Sequence, residues 1–125
     1  MKYLLTAIMI ANAALFVFGA VQHVGFTIGP FHEPHIIPAA IVESICALSL
    51  FLGATALVRR WSNSWGTSLI TNLIAMCGVF LGMIALAAGR GPRTASNDLY
   101  HRIMLILIAV SVLILFAARS ALKQS

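Results

Sequence analysis

Three observations predict an all-α integral membrane protein, a four-helix bundle with short loops and both termini cytoplasmic. Four apolar runs are each long enough to cross a hydrocarbon layer about 30 Å thick. Only 9% of the 125 residues are charged and 61% are hydrophobic, with a mean hydropathy of +1.00, far outside the range of soluble domains. Proline, glycine and polar residues gather between the runs, where a chain must turn. These features place one domain over residues 1–125, with spans at about 3–24, 36–58, 67–88 and 98–118.

The first run follows Lys2 and has the outline of a signal peptide, with Ala11-Asn12-Ala13 as a conceivable cleavage site. The apolar run continues well past that point, so a retained first helix is expected. Between the first and second runs lies Val21–Pro38, a stretch holding His23, His32 and His35 together with Gly25, Gly29, Pro30 and Pro34. Glycine is costly in a helix and proline lacks the backbone donor, so this stretch reads as a structured loop.

The second run tolerates Pro38 in its first turn, where amide hydrogens have no partner in any case. It carries one carboxylate, Glu43, about 12 Å inside a start near His35 by helical rise. Arg59, Arg60, Trp61 and Trp65 then close it in the manner of a helix end at a headgroup layer. The short connection makes the second and third helices antiparallel neighbours. The third run contains Gly78-Val79-Phe80-Leu81-Gly82, a spacing that lets another helix come close in lipid. Gly89–Asp98 is a turn-rich segment in which Ser96 or Asn97 can cap the fourth helix.

The net charge of +5 does not point to nucleic acid, because the eight lysines and arginines scatter along the ends of apolar runs and form no patch. They read as topology signals and headgroup contacts, and no nucleic-acid partner is expected. Lys2, Arg59, Arg60, Arg119 and Lys123 fall on the terminal side, against Arg90, Arg93 and Arg102 on the other. The excess predicts cytoplasmic termini in a multi-pass protein of the cell membrane. His23, His32, Glu33, His35, Asp98, Tyr100 and His101 are then extracytoplasmic. Cys46 and Cys77 lie inside apolar runs as small hydrophobes and define no disulfide framework. Met76, Met83 and Met104 read as packing residues rather than copper ligands.

The four histidines share one predicted face. Imidazole suits copper, zinc and haem iron, so a metal or haem site at the outer mouth is one expectation. Its ligands would be His23, His35 and His101 with His32 in support, and His23 and His101 would serve as the cofactor-binding pair for haem. Asp98 lies one turn from His101 and Arg102, and is expected either to orient the imidazole or to pair with Arg102. The bland counterpart is that these imidazoles satisfy loop carbonyls and headgroups.

Glu43 is the more informative residue, because an ionised carboxylate at that depth is costly without a partner and intramembrane acids are usually functional. It should face the interior, protonated or paired, with Asn12, Gln22, Ser44 and Asn72 as the candidate partners. Three functional classes follow. One is a metal or haem site for redox or metal handling, in a small subunit of a larger membrane complex. Another is a membrane enzyme for a lipophilic substrate, with Glu43 as acid and His101 or Asp98 as base. The third is a homodimeric proton-coupled transporter that exchanges a proton at Glu43 and packs its partner on Gly78 and Gly82. A purely structural subunit is the plainest reading.

The segment Pro38-Ala39-Ala40-Ile41-Val42-Glu43-Ser44-Ile45-Cys46-Ala47-Leu48-Ser49-Leu50-Phe51-Leu52-Gly53 resembles the second-helix pattern of the DoxX-like small membrane proteins. In that family a glutamate is followed by a small residue, leucines and a glycine, which Glu43, Ala47 and Gly53 match. The resemblance covers about one helix together with size and span count. It implies a four-span fold and a link to membrane redox chemistry, such as quinone-coupled thiosulfate oxidation. The His-rich first loop and the Asn97-Asp98-Leu99-Tyr100-His101 start of the last helix depart from it.

Overall fold

The computed structural model describes residues 1–31, 33–91 and 93–120. His32 and Lys123 therefore lie outside the described residues, and with them one expected metal ligand and one cation of the topology argument. Four helices follow one another: α1 Lys2–His23, α2 Ile37–Val58, α3 Ser64–Ala87 and α4 Ala95–Ala117. All four are long and apolar enough to cross a membrane. They match the expected spans closely for α1 and α2. Helices α3 and α4 begin three residues before the expected 67 and 98. The apolar run marks the part that crosses hydrocarbon, whereas a helix can begin in polar residues that need no burial. Thr94 caps α4 by accepting a hydrogen bond from the Asn97 amide at 3.1 Å. The expected caps Ser96 and Asn97 fall inside the first turn.

Helix ends follow from local chemistry. Gly25 and Gly89 adopt positive φ just past α1 and α3, the conformation that lets the last carbonyls be met by amides of the turn. Arg60 takes the same conformation after α2 at φ 55°, without glycine's freedom. Between α1 and α2, Ile28 and Phe31 exchange both backbone hydrogen bonds at 3.1 Å around Gly29 and Pro30. The Phe31 ring stands edge-on to Phe18 of α1, and the Ile36 amide donates to the His23 carbonyl at 3.0 Å. The loop is thus tied back onto the helices it joins.

The helices form an up-down-up-down bundle in which α1 packs closely on α2 and α2 on α3, while α4 lies less intimately against α3 and α1. The two loops α1–α2 and α3–α4 share one end, called the mouth below. The α2–α3 loop lies at the other end with the termini. There the Trp65 indole donates to the Leu115 carbonyl at 2.8 Å and the Arg119 guanidinium lies 5.1 Å from the indole ring centre. The core is a stripe from each helix, including Leu5, Met9, Phe16, Leu50, Leu57, Val79, Met104, Ile108 and Leu115. The large side chains left exposed, such as Leu48, Phe51, Leu81 and Leu113, face outward, as lipid-facing residues must.

Gly78 and Gly82 are used inside this bundle. A side chain at Gly78 would meet Cys46 of α2, and one at Gly82 would meet the His101 imidazole of α4. Both glycines of this spacing serve packing within the chain. Cys46 is buried and Cys77 exposed, both free thiols. Met104 is in the core, with Met76 and Met83 packed against it.

Candidate functional site

The carboxyl of Glu43 points into the bundle, where the residue is 8% exposed. Its neighbours are supplied by two other helices, α1 and α4. From α4, the Tyr100 hydroxyl lies 3.1 Å from Glu43 Oε1 and 2.9 Å from the Leu15 carbonyl of α1. From the end of α1, His23 Nε2 stands 3.9 Å from Glu43 Oε2. Gly19 lets these groups meet, because a Cβ there would collide with both the Glu43 carboxyl and the Tyr100 hydroxyl.

The proton count of this cluster is instructive. Tyrosine has one hydroxyl hydrogen, and two oxygens lie within its reach. The Leu15 carbonyl can only accept. When Glu43 is ionised, Tyr100 donates to Oε1. When Glu43 holds a proton, Tyr100 gives its hydrogen to Leu15 and accepts from the carboxyl. Gain or loss of one proton is thereby matched by rotation of one hydroxyl. His23 adds a second proton-active group: its Nδ1 lies 3.1 Å from the Pro34 carbonyl and donates to it. That bond fixes the ring and aims Nε2 at the carboxyl.

His101 is oriented independently. Its Nδ1 donates to the Asn97 carbonyl at 2.8 Å, which leaves Nε2 on the far side of the ring, over Gly82. The expected orienter, Asp98, makes a different bond. Both its oxygens accept from Arg93 Nε, at 3.2 and 3.3 Å, on an exposed surface. Arg93 reaches it from the loop before α4, so Asp98 pairs with Arg93 where Arg102 was expected, and the bond that aims His101 runs to the Asn97 carbonyl.

Two cavities flank this constellation. One, of about 420 Å³, lies among the four helices and is lined by Phe16, Val42, Glu43, Tyr100, His101 and Met104, with further, mostly apolar residues. The other, of about 340 Å³, lies between α1 and α4 and includes Gly19, Gln22, His23 and Asn97. Tyr100 belongs to both walls. The larger cavity is mostly apolar with a few convergent polar groups, the composition of sites that bind lipophilic molecules of modest size.

Three of the expected partners, Asn12, Ser44 and Asn72, are not bonded to Glu43. Ser44 donates to the Ala40 carbonyl, Asn72 donates to the Ser68 carbonyl, and Asn12 sits elsewhere in the core. Tyr100 was passed over because it lies 57 residues away in sequence, and only the antiparallel packing of α1, α2 and α4 joins them. A tyrosine beside a histidine at the mouth end of the last helix was the available signal. As for the metal centre, no three side chains of His, Cys, Asp or Glu among the described residues stand close enough to hold an ion. His23 bonds the loop and faces Glu43, His35 is exposed beside Gly25, and His101 faces the larger cavity. The three imidazoles have separate surroundings.

Comparison with protein-family models, with curated proteins and with solved structures finds no match.

Proposed function

We propose that this chain is a membrane acid/base protein that binds a lipophilic molecule through a hydroxyl or carbonyl head group and exchanges a proton with it at Glu43. The observation that carries the reading is that Glu43, Tyr100 and His101 line one apolar cavity of about 420 Å³ between the helices. A proton donor and a proton acceptor that face the same space are what general acid/base chemistry requires. Glu43 supplies the transferable proton, and Tyr100 stabilises either state of the carboxyl by turning its hydroxyl. His101, held through Nδ1, offers Nε2 as the base. His23 reaches Glu43 from the loop side and serves as the exchange partner that restores the proton. The positive-inside tendency places the mouth on the extracytoplasmic face.

The resemblance to DoxX-like proteins agrees with this assignment, since Glu43 faces the cavity while Ala47 and Gly53 serve helix packing. A membrane redox partner is within the class of head groups that the site accepts. A copper or zinc role would need a cluster of three ligands that His23, His35 and His101 do not form among the described residues. A second reading, proton-coupled transport, is favoured by one observation: cavities lie on both sides of Tyr100.

The test uses the full chain in liposomes with an alkyl phenol carrying a diazirine as photoreactive probe. Saturable labelling at Phe16, Val42 or Met104, blocked by the unmodified phenol and lost in Gly82→Leu, is expected. Unsaturable labelling spread over outward residues such as Leu48 and Leu113 contradicts the assignment. A proton flux in Glu43-intact vesicles that needs no phenol favours the transport reading.

A further inference from the structure

A second polar feature lies deeper in the bundle, and the Glu43 site has no use for it. Asn12 of α1, Asn72 of α3 and Ser111 of α4 are each 0% exposed. Four of their polar atoms, Asn12 Nδ2, Asn12 Oδ1, Asn72 Oδ1 and Ser111 Oγ, have no hydrogen-bond partner among the described residues. Orphaned polar atoms in a membrane protein's core are expensive, because there is no bulk water to meet them.

The helix register places the three side chains within about one helical turn of one another in depth. A side chain at Gly53 would meet Met9 and Thr71, so these positions of α1, α2 and α3 are level. Three residues toward the mouth, about 4.5 Å by helical rise, bring α1 to Asn12 and α2 to Leu50, and one residue, about 1.5 Å, brings α3 to Asn72. On α4 the fixed point is His101, packed on Gly82 of α3. Asn72 lies ten residues from Gly82 and Ser111 ten residues from His101, in the same direction. Three helices therefore contribute a polar side chain to one layer and α2 contributes Leu50. Phe16, Val79 and Met104, each at most 2% exposed, separate this layer from the Glu43 cluster.

We infer that this layer is a binding site for internal water, which bridges α1, α3 and α4 across the middle of the bundle. The unmet groups fit the donor and acceptor pattern of water. Asn12 offers both amide hydrogens and an acceptor, and Asn72 offers Oδ1 together with the second hydrogen of Nδ2, whose first donates to the Ser68 carbonyl at 2.8 Å. Ser111 offers a hydroxyl that gives or accepts. A water molecule makes two to four such bonds, so one or two molecules complete the set. A metal cation fits less well. The layer contains no carboxylate, and neutral oxygens alone poorly offset the transfer of an ion into a low-dielectric interior. The inference is independent of the proposed role of Glu43.

The experiment is solution NMR on the full chain, deuterated at carbon, in lipid nanodiscs, with water itself as the probe. Cross-peaks from the Asn12 side-chain amide to long-lived water are expected, and they should weaken in Ser111→Ala, which removes one bonding group with little change of volume. The carboxyl band of Glu43 should stay in place in that variant. Absence of the Asn12–water cross-peak in the unmodified protein overturns the inference. So does a direct hydrogen-bond coupling from the Asn12 amide to Asn72, or a saturable shift of these amides on addition of sodium or lithium.

Discussion

The two ends of this bundle are built from the same kind of helix but use polar residues differently. At the terminal end, Ser68 and Thr71 donate to the backbone carbonyls of Gly53 and Ser68, and Trp65 to that of Leu115. Every one of those bonds ties a side chain to a carbonyl and carries no exchangeable charge. At the mouth, a buried carboxyl meets a half-buried phenol and a buried imidazole, a second imidazole stands nearby, and cavities open beside them. The terminal end is organised to hold helices together. The mouth gathers the groups on which the proposed proton exchange rests, beside the helix, α4, that packs least closely in the bundle.

The strongest way to break this contrast is Gly19→Val. Its side chain would strike Glu43 and Tyr100 together, so the cluster should separate and saturable probe labelling should be lost. Overpacking of this kind costs about 1–3 kcal/mol, which a thermal melt in detergent measures. Gly53→Ala is the matched change at the terminal end, against Thr71 and Met9. It should lower stability by a similar ~1–3 kcal/mol yet leave labelling intact. If labelling falls equally in both variants, the two ends are not functionally distinct.

Smaller effects sharpen the comparison. Trp65→Phe removes the bond to Leu115 and weakens the Arg119 contact, and should cost about 1 kcal/mol with no change in labelling. Asp98→Asn breaks only an exposed pair with Arg93, and should shift stability by less than about 1 kcal/mol. Labelling and proton exchange should be unchanged in it. A loss of proton exchange in Asp98→Asn would restore Asp98 to the acid/base machinery and break the present assignment.

Much of the fold was legible because the sequence of a membrane helix is dominated by one constraint, the burial of about 20 apolar residues. That constraint located α1 and α2 to within a residue and showed Glu43 to be out of place in hydrocarbon. It says nothing of polar helix starts, so Ser64 and Thr94 were missed. The site was harder to read. Glu43 was identifiable from its own position, and His23 and His101 from lying at helix ends. Tyr100 required knowing which face of α4 turns inward, and the four helices are apolar on nearly every face. Gly19 carried no signal at all, since glycine is common in membrane helices and its role depends on what stands opposite. The histidines suggested a metal because the expected topology puts all four on one face and three of them in one loop region. Their actual partners, the Pro34 and Asn97 carbonyls, are backbone groups that no residue pattern reveals.

The central claim is that Glu43 and Tyr100 act as one proton-exchanging unit, and infrared difference spectroscopy tests it most directly. Spectra of the reconstituted protein are compared across the pH range in which it stays folded. The account predicts a carboxyl band absent from Glu43→Gln, accompanied by a tyrosine band absent from Tyr100→Phe, the two changing together as the hydroxyl turns between Glu43 and Leu15. A carboxyl signal that titrates identically in Tyr100→Phe, or no signal assignable to Glu43, would contradict it.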